Sequence, residues 1–220
     1  MSALNYIYLS VILIAFLSSL ICFRLDFPIH FKVFSCLLGL TFLVEFSATI
    51  IGHVLHRKNN FWIYNAFTLI EFWTYGYFYY QVIRTKTLKQ IIFFFLLFFP
   101  IFWFVTVFFL FRFNTWNSYV IIVGSFFSVL FAIMYYYQVV TAQEIQALRN
   151  LPEFWIATGM LIFYLGALPY FGTLNFLIEH NRPAATSLLR VLKVLDTLMY
   201  ALFSYGFLWW IVNSTKSSSS

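Results

Sequence analysis

From Ile91 to Phe111 the chain has no charged residue, and its apolar run is interrupted only by Pro100 and Thr106. A helix apolar on every side belongs in the interior of a large protein or in lipid. With 220 residues, 63% hydrophobic and 9% charged, the chain has no means of covering such a segment. A soluble domain is about 45–50% apolar and about 25% charged. The apolar runs match the roughly 20 helical residues needed to cross a hydrocarbon core of about 30 Å. A membrane β-barrel would instead show ~10-residue segments of alternating hydrophobicity, which 91–111 does not. The expected fold class is all-α: a polytopic membrane protein with a bundle of about seven transmembrane helices.

Spans are expected at residues 4–22, 30–54, 61–82, 90–111, 119–140, 152–178 and 189–212, forming one domain over 1–216 and leaving 217–220 as a disordered tail. Span four, rich in phenylalanine, should lie at the lipid-facing periphery. In span five, Ser125, Ser128 and Ala132 recur at i, i+3, i+7, a small-residue face that permits close helix packing. Pro152 and Glu153 open span six in the manner of a helix N-terminus. Pro169 removes a hydrogen bond in mid-span, which predicts a kink or hinge. Residues 179–185, containing Pro183, read as a loop, and residues 141–151 as the longest polar connection.

The net charge of +6 does not indicate nucleic acid. The basic residues stand at span ends, where they anchor to headgroups and set orientation. Arg57, Lys58, Arg112, Arg182, Arg190 and Lys193 fall on the N-terminal side, against Arg24, Lys32, Arg84, Lys86, Lys89, Arg149 and Lys216 opposite. The basic segment from Arg84 to Lys89 and the uncharged N-terminus favour N-out, C-in. Cys22 and Cys36 lie in expected spans without CxxC spacing. Residues 1–22 lack a basic start and an A-x-A-like cleavage site, so they read as a first span rather than a signal peptide.

Two spans carry a carboxylate at membrane depth. In span two, Thr41, Glu45, Thr49, Gly52 and His56 share one helical face, with His53 beside them. In span three, Tyr64, Thr68, Glu71, Tyr75 and Tyr79 do the same, flanked by Asn65. An intramembrane ionisable residue marks a functional site by default. At 1.5 Å rise per residue, Glu45 and Glu71 each lie roughly 17–18 Å below the turn that joins their helices. They are therefore expected level with each other on facing polar stripes. Two such carboxylates will not both carry an uncompensated charge; the pair would share a proton, hold a cation or bind an ammonium group. Asn175, Asp196 and Tyr200 continue the polar set from spans six and seven. The expected site is a vestibule rimmed by His53, His56, Asn65, Asn175 and Asp196, with the glutamates at its floor.

Other chemistries find little support. Two histidines at i, i+3 without H-E-x-x-H make a weak metal motif. No G-x-S-x-G nucleophile elbow, phosphate loop or dinucleotide fingerprint is present, so no cofactor is expected. About seven helices with N-out, C-in matches the layout of opsins and G-protein-coupled receptors, but layout does not transfer function. No lysine stands near the middle of the last span to hold a retinal, and Gln81-Val82-Ile83-Arg84 replaces the receptors' acid-Arg-Tyr signature.

Two motifs carry a closer likeness. Asn59-Asn60-Phe61-Trp62-Ile63-Tyr64-Asn65 leads to Glu71-Phe72, and Pro152-Glu153-Phe154-Trp155-Ile156-Ala157-Thr158-Gly159 leads to Leu161-Ile162-Phe163-Tyr164. Through them the chain resembles small seven-span inner-membrane proteins of Bacteroidota-type bacteria over most of its length. The resemblance implies a bacterial inner-membrane location and no particular activity.

The functional expectation is a sensor or receptor-like module, embedded in the bilayer, that binds a small ligand or a proton. With no extramembrane output domain, a membrane partner such as a histidine kinase would carry the signal. Transport of a small solute or proton, and a role as an assembly subunit, are the alternatives.

Overall fold

The structure is a computed structural model and describes residues 3–25, 27–53, 61–111, 116–142 and 151–217. Among the described residues every regular element is helical. The first rod consists of α1 (Ala3–Ser19) and a terminal turn, α2 (Ile21–Arg24). It is followed by α3 (Ile29–His53), α4 (Phe61–Val82) and α5 (Lys86–Val105), which runs into a π-helical turn over Thr106–Phe111. The remaining helices are α6 (Ser118–Thr141), α7 (Pro152–His180) and α8 (Arg182–Ser217).

Six of these rods are long and apolar enough to cross a membrane. The exception is α4. Its 22 residues suffice in length, but Asn65, Thr68, Glu71 and a series of tyrosines and tryptophans reduce its apolarity.

The packing explains how α4 is accommodated. Helices α1, α3, α4, α6, α7 and α8 contact one another in that order and α8 returns to α1, closing a ring. Helix α5 lies outside, against α4 and α6. Its outer residues are highly exposed, including Phe94 at 68% and Ile101 at 65%. This is the peripheral position expected of an all-round apolar helix.

Close approach within the ring depends on small residues. Ser125, Ser128 and Ala132 of α6 are all buried, and a β-carbon at Gly124 would overlap the Phe72 ring of α4. At Gly206 of α8 a β-carbon would come within 2.9 Å of Trp155 on α7.

The connection between α7 and α8 is shorter than the sequence suggested. The loop expected over 179–185 reduces to Asn181. The side chain of Asn181 accepts the Ala184 N–H at 3.1 Å, satisfying an orphan donor at the start of α8. Pro183 fits the first turn because its missing N–H has no helical partner there.

The two ends of the ring differ. At the end where α3 begins, Phe31, Phe34, Phe78, Phe203 and Phe207 are each 0–2% exposed. Phe34 meets Phe78 and Phe203 at centroid distances of 5.3 Å, and Phe31 meets Phe78 at 5.9 Å and Phe207 at 6.2 Å. These distances lie in the range of favourable aromatic pairs, and the rings form a plug. At this same end, the backbone N–H groups of Arg84 and Thr85 both donate to the Gln138 side-chain carbonyl, tying the α4–α5 connection to α6. His30 packs against Phe31 and Phe78 at this end, while Glu45, Glu71 and Asp196 gather around cavities further along the ring.

Candidate functional site

A cavity of about 500 Å³ lies inside the ring, towards the end where α1 starts and α3 finishes. Helical spacing brings its polar groups together. On α8, Leu189, Lys193, Asp196 and Tyr200 recur every three or four residues and form one face. Of these, Leu189, Lys193 and Asp196 face the cavity. Helix α1 contributes Asn5 and Tyr8 by the same i, i+3 rule, and α3 contributes Glu45 and Thr49. Tyr64 of α4, Trp116 just before α6, and Phe163 and Phe171 of α7 supply aromatic wall.

The polar groups are linked to one another. The Tyr64 hydroxyl donates to Glu45 Oε2 at 3.4 Å, a long bond. The Tyr8 hydroxyl is directed at both Glu45 and Asp196. Lys193 Nζ donates to Asn5 Oδ1 at 2.6 Å and stands 5.6 Å from the centre of the Tyr8 ring. Its charge acts on both Glu45 and Asp196. Carboxylates from two helices and an ammonium group thus share one enclosure.

A second chamber of about 100 Å³ adjoins the first and shares Tyr8, Glu45, Tyr64 and Asp196 with it. Thr41, Thr68, Glu71, Tyr164 and Tyr200 complete much of its wall. Glu71 Oε1 accepts hydrogen bonds from Tyr75 at 3.2 Å and from Tyr164 at 3.1 Å. These two rings meet at 5.9 Å in a T-shaped pair. The Thr41 and Thr68 hydroxyls donate to carbonyls of their own helices, Leu37 and Asn65, at 2.9 Å each. Their donor capacity is therefore already used.

Several expected site residues do meet at these chambers. Glu45, Tyr64 and Asp196 line both, and Thr68, Glu71 and Tyr200 line the smaller one. Tyr75 acts through its bond to Glu71. Glu45 and Glu71 border the same small chamber, yet each has its own phenol partners. The carboxylate grouped with Glu45 around Tyr8 is Asp196.

Asn65 departs from expectation. It is buried but is not among the residues lining either chamber. Its backbone carbonyl accepts the Trp103 indole N–H at 2.7 Å, across to α5. A residue one step along from Tyr64 is turned by about 100° around the helix, in keeping with the flanking position expected of Asn65.

Pro169 lies within an uninterrupted α7 and is exposed. His53 closes α3 and Asn175 belongs to α7, but their side chains lie outside the described residues, as does the whole of His56. The same holds for residues 143–150 of the expected polar connection.

The sequence reading missed Asn5, Tyr8, Lys193, Tyr164 and Trp116. Lys193 was counted only as a flanking charge, although its i, i+3 relation to Asp196 was legible. Tyr164 carries no comparable local signal, because its bond to Glu71 spans 93 positions. Among the described residues, no three His, Cys, Asp or Glu side chains group as metal ligands. No protein-family model matches the chain, and no curated protein or solved structure matches it.

Proposed function

We propose that the protein is a seven-span sensor or receptor-like module of a bacterial inner membrane, with a small-ligand site in the larger cavity. The observation that carries the reading is that cavity itself. It has about 500 Å³ of space, two carboxylates, one ammonium group and aromatic walls at one end of the ring. Pockets of about 300–1,000 Å³ with mostly apolar walls and a few convergent polar groups are typical ligand sites.

Helix α4 is the seventh span in this reading. Its outward residues Trp62, Ile70 and Trp73 are apolar or aromatic. Its carboxylate is bonded to two phenols, one of them on α7. Polar side chains are tolerated at membrane depth when they face the bundle interior. With the N-terminus outside, the cavity faces away from the cytoplasm. Ligand occupancy would then bias the ring, and a membrane partner such as a histidine kinase would read the change on the cytoplasmic side.

The test is a thermal-shift screen of protein in lipid nanodiscs against small cationic, anionic and neutral solutes. A ligand at about 100 times its Kd stabilises by about 2.7 kcal/mol, enough to raise the melting temperature measurably. The shift should disappear in Glu45→Gln/Asp196→Asn. No shift with any solute, or an unchanged shift in that variant, removes the reading. Uptake of a binding solute into proteoliposomes would replace it with transport.

A further inference from the structure

Resting on the reading of the larger cavity as a ligand site, we propose that its ligand is a small organic amine, held as an ammonium between Glu45 and Asp196. Its apolar body would lie against Tyr64, Trp116, Phe163 and Phe171.

The charge balance is the first argument. Glu45 and Asp196 face one cavity in which, among the described residues, the one cation is Lys193. That ammonium group is already bonded to Asn5 Oδ1 at 2.6 Å and drawn to the face of Tyr8. It is held at the α1 wall and offsets at most one carboxylate. The phenols of Tyr8 and Tyr64 reach the acids, but hydroxyls donate hydrogen bonds without supplying a formal charge. One further positive group, a proton when the site is empty or a ligand's ammonium when it is filled, would complete the described site, whereas an anion would meet two acids and a lysine already engaged.

The nature of the walls is the second argument. Aromatic faces attract cations, and the attraction strengthens when water is excluded. A small inorganic cation gains little from such rings and prefers several oxygen ligands. The described residues offer no group of three acidic, histidine or cysteine side chains. An organic ammonium uses both features, its head between carboxylates and its body on rings. The chamber above Glu71 holds only about 100 Å³, room for a few waters but not for the body of such a ligand. The amine therefore belongs in the larger space.

Three matched probes separate this assignment from the reading beneath it: 2-phenylethylamine, 2-phenylethanol and phenylacetate. Each is titrated into nanodisc-embedded protein and followed by calorimetry. The amine should bind at least about tenfold more tightly than either isostere, a gap of 1.4 kcal/mol. Equal or tighter binding of the alcohol or the acid overturns the ammonium assignment while leaving a ligand cavity in place. Failure of all three probes alongside a hit from another chemical class in the wider screen does the same. Failure of every solute removes the ligand site altogether.

Asp196→Asn should weaken amine binding at least about tenfold. Because that variant could lose binding through misfolding, Lys193→Gln supplies the opposite sign. Removing the competing cation should tighten the amine several-fold, and equal or weaker binding overturns the charge argument.

Discussion

Replacing Glu71 by leucine isolates what its carboxylate does for the bundle. Glu71 Oε1 accepts from Tyr75 at 3.2 Å and from Tyr164 at 3.1 Å, and both tyrosines are 2% exposed. Glu71→Leu leaves two buried hydroxyls without that acceptor. Each buried unsatisfied group costs about 1–3 kcal/mol, so the bare sum is about 2–6 kcal/mol. Tyr75 and Tyr164 also lie within hydrogen-bonding reach of each other. One hydroxyl can therefore be re-satisfied, which leaves an expected loss of about 1–3 kcal/mol. For a chain of this size, 1 kcal/mol corresponds to about 2–4 °C in melting temperature, so the drop should be about 2–12 °C. Glu71→Gln keeps an acceptor and should lose less than half as much. The decisive variant is Glu71→Leu/Tyr75→Phe/Tyr164→Phe. It removes the whole polar set while keeping the rings, and apolar replacement of all partners is often nearly neutral. Thermal unfolding followed by far-UV circular dichroism in nanodiscs should find this triple variant more stable than Glu71→Leu. A triple variant no more stable than the single one would refute the account of Glu71 as a carboxylate bonded by two phenols.

Other consequences can be measured directly. Gly124→Leu drives a side chain into the Phe72 ring and should cost about 1–3 kcal/mol or more by overpacking; Phe72→Ala in the same chain should recover part of the loss, and strict additivity in the double-mutant cycle would argue against the contact. Trp103→Phe removes the indole donor to the Asn65 carbonyl and should lower stability by about 1 kcal/mol, seen as a melting shift of a few degrees. Cys36 faces outward from α3 and Cys22 is buried, so in detergent-solubilised folded protein at alkaline pH, where the thiolate forms, a maleimide should modify Cys36 faster than Cys22, which should react fully only after denaturation. Mass spectrometry reporting the reverse order would contradict the packing of the first helical rod.

The helical membrane architecture was legible because it follows from composition and run length, which need no tertiary knowledge. The polar stripe was legible on α3 and α4 for the same reason: Thr41, Glu45, Tyr64, Thr68 and Glu71 keep a helical period. What periodicity could not supply was the closure of the ring. Nothing local indicates that α1 meets α8, so the sequence reading had no reason to bring Asn5 and Tyr8 to Lys193 and Asp196. It paired Glu45 with Glu71 because their helices are adjacent in the chain. The ring also adds Asp196 to the neighbourhood of Glu45 and gives Glu71 a phenol from α7. The loop expected over 179–185 vanished because Asn181 and Pro183, both turn formers by composition, serve here as cap and first turn of a helix.

The phenylalanine plug at the far end of the ring has an electrical consequence. Five buried rings from α3, α4 and α8 pack there with His30 beside them, and where such a layer excludes water a membrane voltage falls mainly across it. Where water fills the cavity, its contents sit close to the potential of the solution on their own side. A cation arriving between Glu45 and Asp196 then crosses little of the field, and its affinity should be nearly independent of voltage. Passage onward through the rings would encounter most of the drop, about 2.3 kcal/mol per elementary charge for each 100 mV. On the proposed reading, the same aromatic residues that pack the ring would also set how far a charge could travel from the cavity.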